Sequence, residues 1–208
     1  GDIMKLIQPY IILILALLLL TVFAVNTNAQ VTSQDLVNAL AIDAGVVSHN
    51  LAAEVDNGTH LTVEPGIFAS ADPLQDAVLL STGLADDEGE GSTYYLYDNA
   101  TDLIRFSIKL TVPAGKKSLV FTTQFITSEY TSGSVRANDN ASLEVSINDA
   151  PAAWSPLSLG SAAASTGIIN PLVTRAINVE GRSNIQLTFI VRDRDDALYD
   201  SALRIMRV

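Results

Sequence analysis

Alternation of apolar and polar residues is the strongest pattern in the chain, and it occurs in three long stretches. In residues 104–112 every second side chain is apolar, and the same period recurs in residues 142–148 and 184–192. A period of two is typical of a strand with one face on a hydrophobic core and the other in water. The inward side chains are predicted to be Ile104, Phe106, Ile108, Leu110, Val112, Leu143, Val145, Ile147, Ile185, Leu187, Phe189 and Val191.

Shorter apolar stretches supply further strand candidates. Gly, Pro, Asn and Asp residues separate them at intervals typical of an antiparallel sandwich. The sequence therefore predicts a mainly β fold, an antiparallel β-sandwich of jelly-roll-like form. The shorter candidates lie at residues 46–55, 60–63, 77–82, 93–97, 118–126, 173–179 and 202–206.

A short helix is predicted before the first strand. Thr32 is followed three residues later by Asp35, the arrangement of a capping box, and Leu36, Val37 and Leu40 follow at helical spacing. Side-chain oxygens at the two capping positions satisfy backbone donors of the first helical turn. We therefore expect one short helix at the start of the sandwich domain.

The N-terminal part has a different pattern, because residues 11–25 are almost entirely aliphatic and no charge occurs between Lys5 and Asp35. A helix rises about 1.5 Å per residue, so such a segment approaches the roughly 30 Å thickness of a hydrocarbon layer. It is apolar on all sides, which indicates a buried or lipid-embedded helix. We expect a long hydrophobic α-helix and linker in residues 1–29 and one domain in residues 30–208.

Three fates of this apolar segment are open. It fits a secretory signal peptide cleaved before Gln30, and it fits a membrane anchor. The start at Gly1 rather than Met favours a segment that is trimmed upstream and then retained. In this respect it resembles the type IV pilin class, whose apolar helices pack in the centre of a filament. That resemblance implies a polymerisation helix containing Ile11, Leu13, Leu15, Leu18, Leu20 and Phe23.

Composition narrows the choice of partners. The 208 residues carry a net charge of −11, which argues against nucleic acid as a partner. The sequence contains no cysteine, which excludes disulfides and thiolate metal sites. Asn-x-Ser/Thr sequons at Asn57, Asn99 and Asn140 are compatible with an exported glycoprotein.

Five short motifs occur in a fixed order along the domain: GIFAS, VLLSTG, FITSEY, ND and DSAL, between residues 66 and 203. Together they resemble the choice-of-anchor L family, surface domains found on different cell-attachment devices, over about residues 34–206. The SEY segment has one acid where that family usually has two, and Leu203 stands where Val is commoner. The resemblance implies an extracellular β-sandwich, attached here through the N-terminal helix.

Oxygen-bearing side chains next to predicted strand ends form a candidate metal site. Ca²⁺ takes about 6 to 8 oxygen ligands from carboxylates, amides and carbonyls, so it is the candidate cofactor if the two loops meet across the sandwich. The alternative is that these residues are solvated loop and capping groups, some of them neutralised by Arg192 and Arg194. The candidate ligands are Glu129, Asn138, Asp139, Asp193, Asp195 and Asp200.

No set of residues in the sequence predicts an enzyme. The two histidines, His49 and His60, lie in or beside strand patterns, where they are expected to be polar-face residues rather than ligands. The LSTGL segment around Ser81 lacks the Gly-x-Ser-x-Gly elbow of a serine hydrolase. We therefore expect no catalytic activity.

Aromatic residues offer a carbohydrate-binding alternative. Trp154 and the tyrosines Tyr94, Tyr95 and Tyr97 would suit a sugar-binding face. Prolines flank this lone Trp on both sides, however, which favours a positioned loop in which the indole fills the core or a subunit contact.

The leading functional prediction is a structural subunit of an extracellular, pilus-like filament that serves adhesion. A fully apolar helix is unfavourable in water, and packing among identical copies hides it as well as lipid does. The alternative is a cell-surface adhesin, anchored in the membrane by the same helix, whose sandwich binds surface carbohydrate with or without calcium. The expected partners are therefore other copies of the chain, a membrane during assembly or as the anchor, and surface carbohydrate, but not nucleic acid.

Overall fold

A computed structural model describes residues 30–42, 44–55, 68–82, 102–127, 139–157, 171–192 and 201–207. The chain divides into two units, Gly1–Gln30 and Val31–Val208. The predicted N-terminal helix and the strand candidates at residues 60–63 and 93–97 lie outside the described residues. Within the described ranges, no helix has both the length and the apolar character that crossing a bilayer requires.

The second unit is an antiparallel β-sandwich with one short helix among its described residues. The strands form a first sheet in the order β1-β4-β9-β6-β7 and a second sheet in the order β2-β3-β10-β5-β8. Every pair of neighbouring strands is antiparallel. The elements are α1 (Ser33–Ala39), β1 (Gly45–Val55), β2 (Ala69–Asp72), β3 (Ala77–Ser81), β4 (Asp102–Thr111), β5 (Ser118–Thr127), β6 (Asn140–Ile147), β7 (Ala153–Pro156), β8 (Val173–Asn178), β9 (Asn184–Arg192) and β10 (Ser201–Met206).

The core lies between the two sheets, and the alternating stretches supply most of the first sheet's share of it. The predicted inward residues of β4 and β9 are buried, and those of β6 are buried or pack against the core. Phe121 of β5 meets Phe189 of β9 edge to face, with 5.5 Å between the ring centroids. Such a pair contributes about 0.5–1.5 kcal/mol beyond the area it buries, so it helps to hold the sheets together.

Helix α1 begins with the predicted capping box. The Thr32 backbone N–H and hydroxyl both donate to the Asp35 carboxylate, at 2.8 and 2.6 Å, and the Asp35 N–H donates to the Thr32 hydroxyl at 3.3 Å. These hydrogen bonds from Thr32, through its side chain first and its backbone second, lower the pKa of Asp35 from its ordinary value of 3.8. The helix buries Leu36, Val37 and Leu40 in the core, so the prediction of a short helix is confirmed.

Two short edge strands were not predicted from the sequence. β2 consists of Ala, Ser, Ala and Asp, and three of these side chains are too small to give a clear apolar period. β7 ends in Pro156 and holds Trp154, where we expected a loop. Both strands pair with one neighbour only, and edge strands tolerate the missing donor of proline.

The connections differ in length at the two ends of the sandwich. Short turns follow the even-numbered strands β2, β4, β6 and β8, and longer connections follow the odd-numbered strands. The longer connections start or finish at paired residues such as Asn140 with Arg192 and Ser201 with Thr127. We call this the loop end of the sandwich.

Candidate functional site

The outer face of the first sheet carries a depression of about 380 Å³, which we call the outer groove. Four strands contribute its described lining: β4, β9, β6 and β7. The lining side chains belong to the outward-facing positions of their strands, on the side of the sheet away from the core. They are Arg105, Asn140, Ser142, Glu144, Trp154, Pro156, Ile190 and Arg192.

Strand register explains how these residues come together. Arg105 lies opposite Ile190, Ile190 lies opposite Ser142, and Ser142 lies opposite Pro156, which makes one row across the sheet. Neighbouring strands are about 4.8 Å apart, so the row spans roughly 14 Å. Ile190 and Ser142 in the middle are each only 4% exposed although they point outward, so they form the floor between the two flanks.

Trp154 forms one flank of the outer groove. It lies opposite Glu144 in the β6–β7 pair, and 63% of its surface is exposed. The expectation that this indole fills the core is therefore wrong, because its strand position directs it away from the space between the sheets. The other aromatic candidates for a sugar-binding face, Tyr94, Tyr95 and Tyr97, lie outside the described residues.

Arg105 forms the opposite flank and is incompletely bonded. Its Nη2 lies 3.8 Å from the Glu54 carboxylate, which is within ion-pair range but longer than a hydrogen bond. Its Nε is buried and has no hydrogen-bond partner. The side chain is about one third exposed, so the guanidinium borders both the protein interior and the groove.

The described lining of the outer groove is less acidic than the chain as a whole. It includes two arginines and one glutamate, whereas the chain has a net charge of −11. Arg192 lies at the loop end of the groove opposite Asn140, and Glu144 lies towards the other end beside Trp154. The groove therefore combines an exposed aromatic ring with hydrogen-bond donors of both charged and neutral type.

The sequon at Asn140 falls inside this groove rather than on an exposed loop. Asn140 is half-buried at the start of β6, and the Ser142 of its sequon belongs to the groove floor. A glycan attached to Asn140 would therefore start within the lining of the groove. The other two sequons, at Asn57 and Asn99, lie outside the described residues.

Asp139 is the one candidate calcium ligand within the described residues. It is 4% exposed, and the Ser201 hydroxyl donates to its Oδ2 at 2.5 Å. The Ser201 backbone N–H in turn donates to the Thr82 hydroxyl at 3.0 Å. This buried polar cluster joins the start of β6 in the first sheet to the start of β10 and the end of β3 in the second.

The remaining candidate ligands lie outside the described residues: Glu129, Asn138, Asp193, Asp195 and Asp200. Their segments are attached to neighbouring strand ends, since Thr127 pairs with Ser201 and Asn140 pairs with Arg192. In the described ranges alone, no group of three metal-binding side chains occurs. Register therefore brings the two attachment points together, while the metal site itself stays a prediction.

Both ring nitrogens of His49 are hydrogen-bonded to side chains of helix α1. Its Nε2 lies 3.0 Å from Oε1 of Gln34, and its Nδ1 lies 2.8 Å from the Ser33 hydroxyl. The Gln34 oxygen only accepts, so a neutral imidazole carries its proton on Nε2 and accepts at Nδ1 from Ser33. This histidine links the helix to β1 and lies away from the outer groove; His60 lies outside the described residues.

Sequence reasoning identified Trp154 and Asn140 but missed the arginine and glutamate residues of the groove. The signal for them was the polar phase of the alternating strands, which puts Arg105, Glu144 and Arg192 on the outward face. What the pattern could not supply was the order of strands, which makes β4, β9, β6 and β7 neighbours.

Comparisons with known proteins yield distant likenesses. No protein-family model matches the chain, and no curated protein matches it. The enzymatically active domain of bacteriophage CBA120 tailspike protein 4 is 13% identical with a TM-score of 0.26; the match covers 64% of this chain and 19% of that one. A family 35 carbohydrate-binding module from Clostridium thermocellum is 11% identical with a TM-score of 0.21, over 78% of this chain and all of that one. Scores this low assign neither a fold family nor a function to this chain.

Proposed function

We propose that this β-sandwich is a cell-surface binding module that holds a saccharide in the outer groove. The observation that carries the proposal is Trp154, the single tryptophan of the chain, which is 63% exposed on the flank of a polar depression. Single exposed apolar side chains are common on protein surfaces, but this indole borders a depression lined by polar side chains, the combination typical of small-molecule sites. A sugar presents C–H groups that pack on an aromatic face and hydroxyls that bond to polar side chains.

The lining fits such a partner in chemistry as well as in size. Asn140 and Ser142 offer both donors and acceptors, Glu144 offers an acceptor, and Ile190 offers an apolar floor. Binding sites for small molecules typically combine apolar surface with a few well-placed polar groups. The choice-of-anchor L resemblance supports a location on the cell surface, where saccharides are the commonest ligands available.

The test compares Trp154→Ala with the wild-type full chain, kept in a polyoxyethylene detergent that contains no sugar. Retardation in native gels containing galactan, xylan, polygalacturonate or alginate reports binding. We expect at least one polysaccharide to retard the wild type and Trp154→Ala to weaken that binding about thirtyfold, as for a central aromatic contact. Val120→Ala is the control, because Val120 is an exposed apolar residue on the second sheet. Equal retardation of wild type and Trp154→Ala would contradict the proposal.

A second proposal concerns how the module is displayed. The apolar stretch of residues 11–25 favours a filament subunit, in which helices of identical copies pack together and the sandwiches face outward to adhere. Negative-stain microscopy of sheared cell-surface material should then show regular fibres containing this chain. Recovery of the chain only from the detergent-soluble membrane fraction would support the membrane-anchored adhesin instead.

Calcium is proposed as a structural ion at the loop end. The supporting observation is that buried Asp139 lies beside the start of β10, next to the segment that holds three other candidate ligands. An ion that binds only the folded state raises the melting temperature in proportion to the logarithm of its concentration. We expect millimolar Ca²⁺ to raise the melting temperature of the full chain and excess chelator to lower it. An identical melting temperature under both conditions would rule out a structural calcium site.

A further inference from the structure

We infer that the saccharide bound in the outer groove carries a carboxylate, and that the Arg105 guanidinium binds it. This inference rests on the proposed saccharide-binding function and names the class of sugar. It excludes neutral sugars as the preferred ligand. Its basis is an arginine with an unused donor on one flank of the groove, opposite an exposed tryptophan on the other.

Among the ion pairs of the described residues, the one between Arg105 and Glu54 has the longest distance between nitrogen and oxygen. Lys109 meets Asp149 at 2.6 Å and Lys117 meets Glu180 at 3.2 Å, whereas Arg105 remains 3.8 Å from Glu54. The Nε of Arg105 is shielded from water and has no hydrogen-bond partner among the described residues. A buried donor without an acceptor is unfavourable. A ligand that accepts a hydrogen bond from this guanidinium therefore gains more binding free energy than one that bonds to a donor already paired within the protein.

A carboxylate is the acceptor that matches this donor. A guanidinium presents parallel N–H groups that bond both oxygens of a carboxylate at once, and such charged pairs are stronger than bonds to neutral hydroxyls. Contact through both N–H groups requires the Arg105 side chain to rotate, because its Nε is buried. Glu54 is the acidic neighbour of the same guanidinium, 3.8 Å from Nη2.

The acidity of the whole chain does not decide which ligand the groove prefers. The described lining contains Arg105, Arg192 and one acidic side chain, Glu144, and Glu54 lies 3.8 Å from Arg105 outside that lining. Long-range repulsion by the net charge of −11 is screened beyond about 8 Å at physiological salt, so short-range contacts decide the preference. The row from Arg105 to Pro156 is roughly 14 Å across, which leaves room for an acidic sugar at Arg105 and a second sugar ring against Trp154.

The experiment uses matched pairs of ligands that differ only in charge. Oligogalacturonate and oligomannuronate are each compared with their methyl esters, in which the carboxylates are neutral. Binding to the full chain in polyoxyethylene detergent is measured by calorimetry at physiological salt. We expect at least one free acid to bind about tenfold or more tightly than its ester, the difference expected for one charge-assisted bond.

Variants assign the preference to Arg105. Arg105→Met should weaken binding of the free acid about tenfold to a hundredfold and change binding of the ester by less than about threefold. Arg105→Lys should lie between, because it keeps the charge and loses the fork. Lys109→Met is the control, since it removes one positive charge from the same face of β4 outside the groove. It should keep the difference between acid and ester.

The outcomes separate this inference from the function on which it rests. Esters bound as tightly as acids, or equal losses for acid and ester in a normally melting Arg105→Met, overturn the acidic ligand and leave saccharide binding intact. Binding of none of the four probes and none of the gel polysaccharides overturns both. Concentration-dependent self-association that is lost in Trp154→Ala and Arg105→Met would show that another copy of the chain fills the groove, and that also overturns the inference.

Discussion

Asp139 is a buried carboxylate that accepts a hydrogen bond from the Ser201 hydroxyl. Ser201→Ala removes the 2.5 Å hydrogen bond to Asp139 and leaves the rest of the β3–β10 pairing in place. Because bonds to charged groups contribute more than neutral ones, we expect a loss of about 1.5–3 kcal/mol in the free energy of unfolding. Urea titration of the full chain at pH 7 measures this loss.

Ser107→Ala is the matched control for that prediction. The Ser107 hydroxyl is also partly buried and bonded across strands, at 3.0 Å to the Thr188 hydroxyl, but both partners are neutral. We expect a cost of about 1 kcal/mol, smaller than that of Ser201→Ala. A larger effect of Ser107→Ala would show that Asp139 does not rely on Ser201 as a charged group.

Truncating Trp154 and truncating Phe189 are expected to affect the free energy of unfolding by very different amounts. Trp154→Ala should change the free energy of unfolding by less than about 1 kcal/mol, because the indole is largely in water, whereas Phe189→Ala should cost about 3–5 kcal/mol, because the ring is fully buried. Thermal and urea unfolding of both variants test the pair. A cost above about 2 kcal/mol for Trp154→Ala would restore the core role that the flanking prolines had favoured.

At the level of elements, the long strands were predictable and the short edge strands were not. β4, β6 and β9 follow the two-residue period because one face of each lies on the core. β7 is exposed at Ala153, Trp154 and Pro156, so no apolar face marks it as a strand. It pairs with β6 in a hairpin across residues 148–152, and apolar periodicity does not mark that pairing.

The outer groove was unpredictable because it depends on pairing between strands that are distant in the sequence. Arg105, Ile190 and Ser142 are far apart in the chain, and only the sheet order and register put them in one row. The polar phase of each strand could be assigned from sequence, but its neighbours could not. The same holds for the contact between Asp139 and Ser201 at the loop end. The calcium prediction assumed that two acidic loops meet, and only the strand order shows that their strand ends are adjacent.

The capping box of helix α1 should contribute to stability in a pH-dependent way. Thr32 lowers the pKa of Asp35, so the capping box contributes stability above pH 3.8, and that contribution is lost as the pH falls through the lower folded pKa. Thr32→Ala removes the largest cause and should raise the Asp35 titration midpoint towards 3.8, as followed by carboxyl-carbon NMR. Asp149 is the internal control, because Lys109 is what lowers its pKa and its midpoint should not move. An unchanged Asp35 midpoint would contradict the role of Thr32.

At the scale of the whole domain, the proposed binding groove and the hydrophobic core occupy different faces of the first sheet. The apolar core between the sheets includes residues from both sheets and from α1. The outer groove lies on the opposite face of the first sheet, so we expect substitutions of its exposed side chains to leave the packing of the core intact. The long connections all attach at the loop end, where Asp139 and Ser201 join the two sheets.

A shared core predicts that both sheets unfold together. Trp154 reports on the first sheet by fluorescence, and Val78→Cys places a buried thiol in β3 of the second sheet of a chain that has no cysteine of its own. Thiol labelling and fluorescence, measured in that single variant across a urea series, should give the same midpoint, because neither sheet keeps its apolar face covered without the other. Val191→Cys, with both probes in the first sheet, calibrates the agreement expected for one unit. Two separated midpoints in Val78→Cys, with coincident ones in Val191→Cys, would mean that the sheets are independently stable and that the interface between them is weaker than its buried aromatic pair indicates.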